Sequence, residues 1–138
     1  MDIGEKKRYL NEYRFAKKKE ARLREQILIL REQATSPSVK LDGMPKGGGD
    51  NDLSGYAAKL DGLLRMLEDE RKKQVDIYTD IYRSVQMLSD PLHCEVLERR
   101  YLMLQPWRYI AREMHYDERQ VFRIHGRALR KIEFERCQ

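Results

Sequence analysis

Two long stretches of this chain carry apolar residues in a 4-3 rhythm. That rhythm constrains the fold more than any other feature, because a seam repeating every 3.5 residues is buried by packing helix against helix. From Gly4 to Gln33 there is no further glycine and no proline, and strong helix formers dominate. The seam of this stretch reads Tyr9, Tyr13, Ala16, Glu20, Leu23, Ile27, Leu30. A second helix is expected from Asp52, placed as its N-cap, to Leu88. Its seam reads Leu53, Ala57, Leu60, Leu64, Leu67, Arg71, Gln74, Tyr78, Ile81, Val85, Leu88. Between the two, residues 35–51 hold Ser36, Pro37, Gly43, Pro45 and the triplet Gly47 to Gly49, which reads as a flexible linker. The triplet has neither a preceding strand nor the Lys-Ser/Thr of a phosphate-binding loop.

Folding the two helices antiparallel about the linker pairs Leu30 with Leu60, Ile27 with Leu64, Leu23 with Leu67, Glu20 with Arg71, Ala16 with Gln74, Tyr13 with Tyr78 and Tyr9 with Ile81. The acidic interruption of one seam thereby meets the basic interruption of the other. A helical hairpin is expected, with Glu20 and Arg71 setting its register more than its stability, since buried ion pairs roughly break even. The alternative is that the heptads pair between two chains and make a dimer. The tyrosines Tyr9, Tyr13, Tyr78 and Tyr82 lie at helical spacing and read as packing residues rather than base-stacking ones.

With 138 residues, 37% charged and 41% apolar, the chain has room for one small domain with an extension and not for a large enzyme core. The aliphatic run Ile27 to Leu30 falls far short of the roughly 18 apolar residues of a membrane span, and the N-terminus has no signal-peptide apolar region. A soluble, cytoplasmic protein without membrane contact is expected. Cys94 and Cys137 have no CxxC spacing and read as reduced thiols. The net charge is +5, and it is uneven: residues 1–34 hold 10 Lys/Arg against 6 Asp/Glu, residues 35–90 hold 8 against 10, and residues 91–138 hold 10 against 7. Basic ends around an acidic middle fit a polyanionic partner or a chain that packs charge against charge.

After Ser89 the texture changes. Asp90-Pro91 gives an N-cap with proline at the first helical position, opening a helix to about Leu102. Pro106 is expected to open the next at its first position, with Trp107, Ile110, Ala111 and Met114 on one face. His115-Tyr116-Asp117 breaks the pattern, and Asp117 with Gln120 has capping-box spacing for a last helix to about Glu135. Two short helices across a tight turn, preceded by a third, form a helix-turn-helix pattern. At about 100° per residue, with Arg119 at zero, Arg130, Arg123 and Arg127 fall within about 80° of it and Gln120 falls near its edge, at about 100°. Ile124, Ala128, Val121 and Ile132 gather in that order on the opposite side of the helix, centred about half a turn from Arg119. Arginine's planar fork suits guanine edges and phosphates in a DNA major groove, where residues near the helix N-terminus enter deepest. Arg119, Gln120 and Arg123 are therefore the candidate base contacts, with Arg127 and Arg130 on phosphates; the structural alternative is a solvated basic face.

The stretch Asp90 to Ile132 also resembles the promoter-recognition domain of bacterial sigma factors, region four, and the tails of small phage-encoded transcriptional regulators of the ArpU and RinA kind. The matching residues are Leu97, Arg100 and Tyr101 in the first helix, Ile110-Ala111 in the second, and Asp117-Glu118-Arg119-Gln120-Val121, Arg123, Ile124, Ala128-Leu129 and Ile132 in the third. The resemblance implies DNA contacts from Glu118, Arg119, Gln120 and Arg123. It departs at His115, where the family usually has glycine in the turn, and at Phe122, often polar or basic there. Phe122 is placed either against the second of these helices or on a thymine methyl. Nothing before residue 90 resembles the sigma segments that melt promoters or grip the polymerase core, so an accessory regulator is expected rather than a complete sigma factor.

His93, Cys94, His115, His125 and Cys137 match no common zinc spacing, Glu68-Asp69-Glu70 straddles several helix faces and is expected to be solvated, and Trp107 reads as a packing residue. The expectation is thus an all-α protein: a helical hairpin over 1–89 and a helix-turn-helix domain over 90–138. It is expected to bind double-stranded DNA as a dimer and to regulate transcription alongside RNA polymerase, without catalysis, cofactor or metal. The rivals are a coiled-coil adaptor for polymerase or another phage protein, and a terminase-like packaging subunit.

Overall fold

The computed structural model describes residues 1–35 and 49–134, and all regular structure among them is helical. The helices are α1 (Ile3–Thr35), α2 (Gly49–Gln86), α3 (Pro91–Leu97), a π-helical turn (Glu98–Leu102), α4 (Trp107–Met114) and α5 (Glu118–Lys131). Most of the expected linker, Glu135 and Cys137 lie outside the described residues. None of the described helices is long and apolar enough to cross a membrane.

The chain divides into two compact units, one of Lys17–Lys73 and one of Met1–Ala16 with Gln74–Gln138. In the first unit Leu23, Ile27 and Leu67 are buried together with Leu60 and Leu63 against them. Lys19 Nζ lies 2.9 Å from Glu70 Oε1, and Glu20 Oε1 lies 3.9 Å from Arg71 Nε and 2.8 Å from Arg24. Numbers on α1 rise as those on α2 fall. Two expectations need correction here. Leu63, not Leu64, packs on the apolar cluster, and Leu64 is exposed. Glu70, expected in solvent, is buried while Arg71 is half exposed. In both heptads the inward residue is the one before that expected, so the buried line of α2 runs through 60, 63, 67, 70 and 74, the same 3–4 spacing in a different phase. Lys19 and, more weakly, Lys73 hold the buried Glu70 carboxyl below its ordinary range.

In the second unit Leu10, Ile81, Val96, Ile110, Val121 and Leu129 share one core. Each is almost wholly buried, which stabilises by about 1.5–3 kcal/mol per side chain. Gln74, which interrupts the apolar seam, is buried but satisfied: its Nε2 donates to Ala16 O at 3.2 Å. The rings of Tyr13 and Tyr78 meet edge-on at 5.3 Å.

Local chemistry sets the helix ends. Asp2 and Glu5 cap α1 reciprocally, Glu5 N donating to Asp2 Oδ1 at 2.7 Å and Asp2 N to Glu5 Oε2 at 3.2 Å. Asp52 falls inside α2 rather than at its cap position, because the helix already begins at Gly49. Asp90 accepts from Leu92 N with Pro91 in the first turn of α3. After Leu97 the ladder widens to i→i−5, as Met103 N donates to Glu98 O at 2.8 Å. A continuing α-helix carries Leu102 about 140° away from Leu97, and the wider turn brings Leu102 into the core beside Tyr101. The expected α-helix to Leu102 is thus α-helical only to Leu97. Leu104 leaves the turn at φ 56°.

Candidate nucleic-acid interface

The α4–α5 pair is built around a turn with defined chemistry at both ends. His115 adopts φ 61°, ψ 39°, the left-handed conformation that glycine takes most readily. His115 N and Tyr116 N donate to Arg112 O at 3.3 Å and Ala111 O at 3.0 Å, satisfying the last carbonyls of α4. Asp117 then caps α5: its Oδ1 accepts from Gln120 N at 2.7 Å while Gln120 Oε1 accepts from Asp117 N at 3.2 Å. At the start of α4, Pro106 is the cap rather than the first helical residue. Its φ of −70° suits a helix but its ψ of 152° keeps it extended. At the far end α5 stops at Lys131, short of Glu135, because Ile132 turns extended to bury its side chain in the core.

Between those ends α5 has two opposed faces. Val121, Ile124, Ala128 and Ile132 are buried, whereas Glu118, Arg119, Gln120, Arg123, Arg127 and Arg130 are all exposed. Among the described residues no carboxylate lies within ion-pair distance of any of the four arginines. Glu118 lies 4.0 Å from the almost fully exposed Arg108 of α4. Gln120 has its Oε1 occupied by the capping box, which leaves its amide N–H groups as the free donors.

Beside the arginine face stands an aromatic group. Trp107 packs edge-on against Phe122 at 5.1 Å and His125 at 4.7 Å, and the Arg100 guanidinium lies 4.5 Å over its ring. Phe122 therefore does lie against α4, with about half its surface still open. His125 is buried, its Nε2 2.7 Å from the Tyr101 hydroxyl. Burial, reinforced by the nearby Lys7 and Arg100 charges, pulls its pKa down to about 4, so it is neutral at pH 7. Burial likewise raises Tyr101 to about 12. Of the remaining metal candidates, Cys94 is half buried, its thiol raised mainly by burial and directed at Val85 O. No group of three potential metal ligands gathers among the described residues.

Sequence reasoning missed Lys6, whose Nζ donates to Leu129 O at 2.9 Å and approaches Arg130 O at 3.4 Å. A cation on these carbonyls complements the negative end of the helix. No local pattern links residue 6 to residue 129; only the preference for a cation at a helix C-terminus hints at it. The chain matches no family model, no curated protein and no solved structure.

Proposed function

We propose that this protein binds double-stranded DNA in a sequence-specific way and regulates transcription as a phage- or prophage-encoded accessory to RNA polymerase. In this reading α4, the His115 turn and α5 form a helix-turn-helix with α5 in the major groove. α1 and α2 form a long helical hairpin that supports dimerisation. The observation that carries the reading is the face of α5: four exposed arginines without a carboxylate partner among the described residues, on a helix capped at its N-terminus and fixed by a buried opposite face. Arg119 and Arg123 read base edges, Gln120 donates from its amide, and Arg127 and Arg130 hold phosphates. Glu118 takes the acceptor role, suited to a cytosine amino group.

The test compares two variants on matched and scrambled duplexes across salt. Arg123→Ala is expected to lose about 1–3 kcal/mol of discrimination between sequences. Arg130→Ala is expected to weaken all sequences alike and to flatten the salt slope by about 1. Equal, small effects from both variants contradict the reading.

A second reading, a protein adaptor, is favoured by one feature of the Lys17–Lys73 unit. There Ile29, Leu30, Leu63 and Met66 line an open apolar groove of about 430 Å³ beside Gly62. A partner bound there, with no DNA affinity in the chain, is the outcome that separates it.

A further inference from the structure

The unpaired cations of the second unit are not confined to α5. Lys7 and Arg14, seven residues apart on α1, share one face to within about 20°. Arg14 Nη2 donates to Arg100 O at 3.2 Å, which brings α1 to the π-helical turn. Arg100 is itself fixed, its Nη1 donating to Gln105 O at 3.1 Å and its guanidinium lying on Trp107. Trp107 in turn meets Phe122 of α5. A row thus runs from α1 through Arg100 and two aromatic rings to the helix carrying the arginine face.

Among the described residues Lys7, Arg14 and Arg100 make no ion pair, although Lys19, Arg24, Arg65 and Arg99 each find a carboxylate. Burial and the Arg14 charge lower Arg100 from its ordinary value, and Lys7 and Arg100 both act against a proton on His125. Gathering like charges opposes folding, and an anion placed among them removes the opposition. Guanidinium groups held by carbonyls, with N–H groups left to donate, suit a phosphate.

We propose that Lys7, Arg14 and Arg100 form a second anion site that takes backbone phosphates of the duplex beside the stretch met by α5, making α1 part of the DNA interface. The inference rests on the proposed DNA binding. It extends that binding from the last helix to the first.

The test uses the full chain and measures duplex affinity over a series of salt concentrations for the native protein, Lys7→Gln and Arg14→Gln. Among the described residues Lys7 makes no hydrogen bond or ion pair, so Lys7→Gln is the variant least able to disturb the fold. Unchanged thermal unfolding checks this. Each variant is expected to reduce the slope of log K against log salt by about 0.9, the value for one phosphate contact. The preferred sequence should remain the same. Fluorescence of Trp107, the sole tryptophan, is expected to change on DNA binding because Arg100 lies on its ring. Slopes identical to the native protein, alongside a sequence preference that Arg123→Ala removes, overturn this site and leave the α5 reading standing. Absence of any duplex binding by the native chain overturns both.

Discussion

Acidification should destabilise this protein through His125, beginning above the pH range of ordinary carboxylates. The imidazole is buried against Tyr101 and Trp107, and its pKa in the folded chain is about 4 against an ordinary 6.5. Because the folded value is the lower one, the unfolded chain binds the proton first. The stability is therefore fully present above about pH 6.5 and is lost as pH falls toward 4. At about 1.36 kcal/mol per pH unit, that gap is worth about 3 kcal/mol. The Tyr101 bond does not account for the loss, since a protonated Nε2 can donate to the phenol oxygen at the same 2.7 Å. Burial is the main cause, and Lys7 and Arg100 add to it. The assay is urea unfolding at pH 7.5, 6, 5 and 4, followed by Trp107 fluorescence, for the native chain and His125→Gln. Glutamine can still partner Tyr101 but does not titrate, and the carboxylates cancel in the comparison. The native protein should lose about 3 kcal/mol relative to the variant between pH 7.5 and 4. A difference that stays constant across that range refutes the reasoning.

Other perturbations follow from single contacts. His115→Gly relieves the left-handed backbone and should stabilise by about 1 kcal/mol in denaturant titration. Asp117→Ala removes one half of the capping box and should cost about 1 kcal/mol, with amide exchange at Gln120 accelerated. Leu67→Ala should cost about 2–5 kcal/mol and Leu64→Ala under about 1, because only Leu67 is buried. Equal losses at 64 and 67 would restore the seam drawn from the heptad alone.

What could be read from the sequence was local. Asp90, Asp117 and Gln120 announce caps because each motif is complete within a few residues, and the structure has those bonds. The two faces of α5 follow from helical period alone, so Val121 and Ile124 are buried and Arg119 and Arg123 exposed as rotation requires. Glu20 and Arg71, paired by counting, stand 3.9 Å apart. Finer detail escaped where it depends on the phase in which helices pack or on distant neighbours. Glu70 turns inward because the buried line passes one residue before the counted one, and Lys19 reaches it from another helix. Leu10 lies off the seam of α1 yet is fully buried, since it joins the core of Val96 and Val121. The π-helical turn has no sequence signature, and it buries both Tyr101 and Leu102. Of the candidate interface, residue types and their face were legible; the Arg100–Trp107–Phe122 contact needed three helical segments in place.

Selection of bound duplexes from a random DNA library, run in parallel for the native chain and Arg119→Ala/Arg123→Ala, tests the central claim most directly. The account predicts one enriched motif with the native chain and its disappearance with the double variant, and a motif with two-fold symmetry if the hairpin dimerises. Binding without enrichment, or no binding at all, contradicts a recognition helix at residues 118–131.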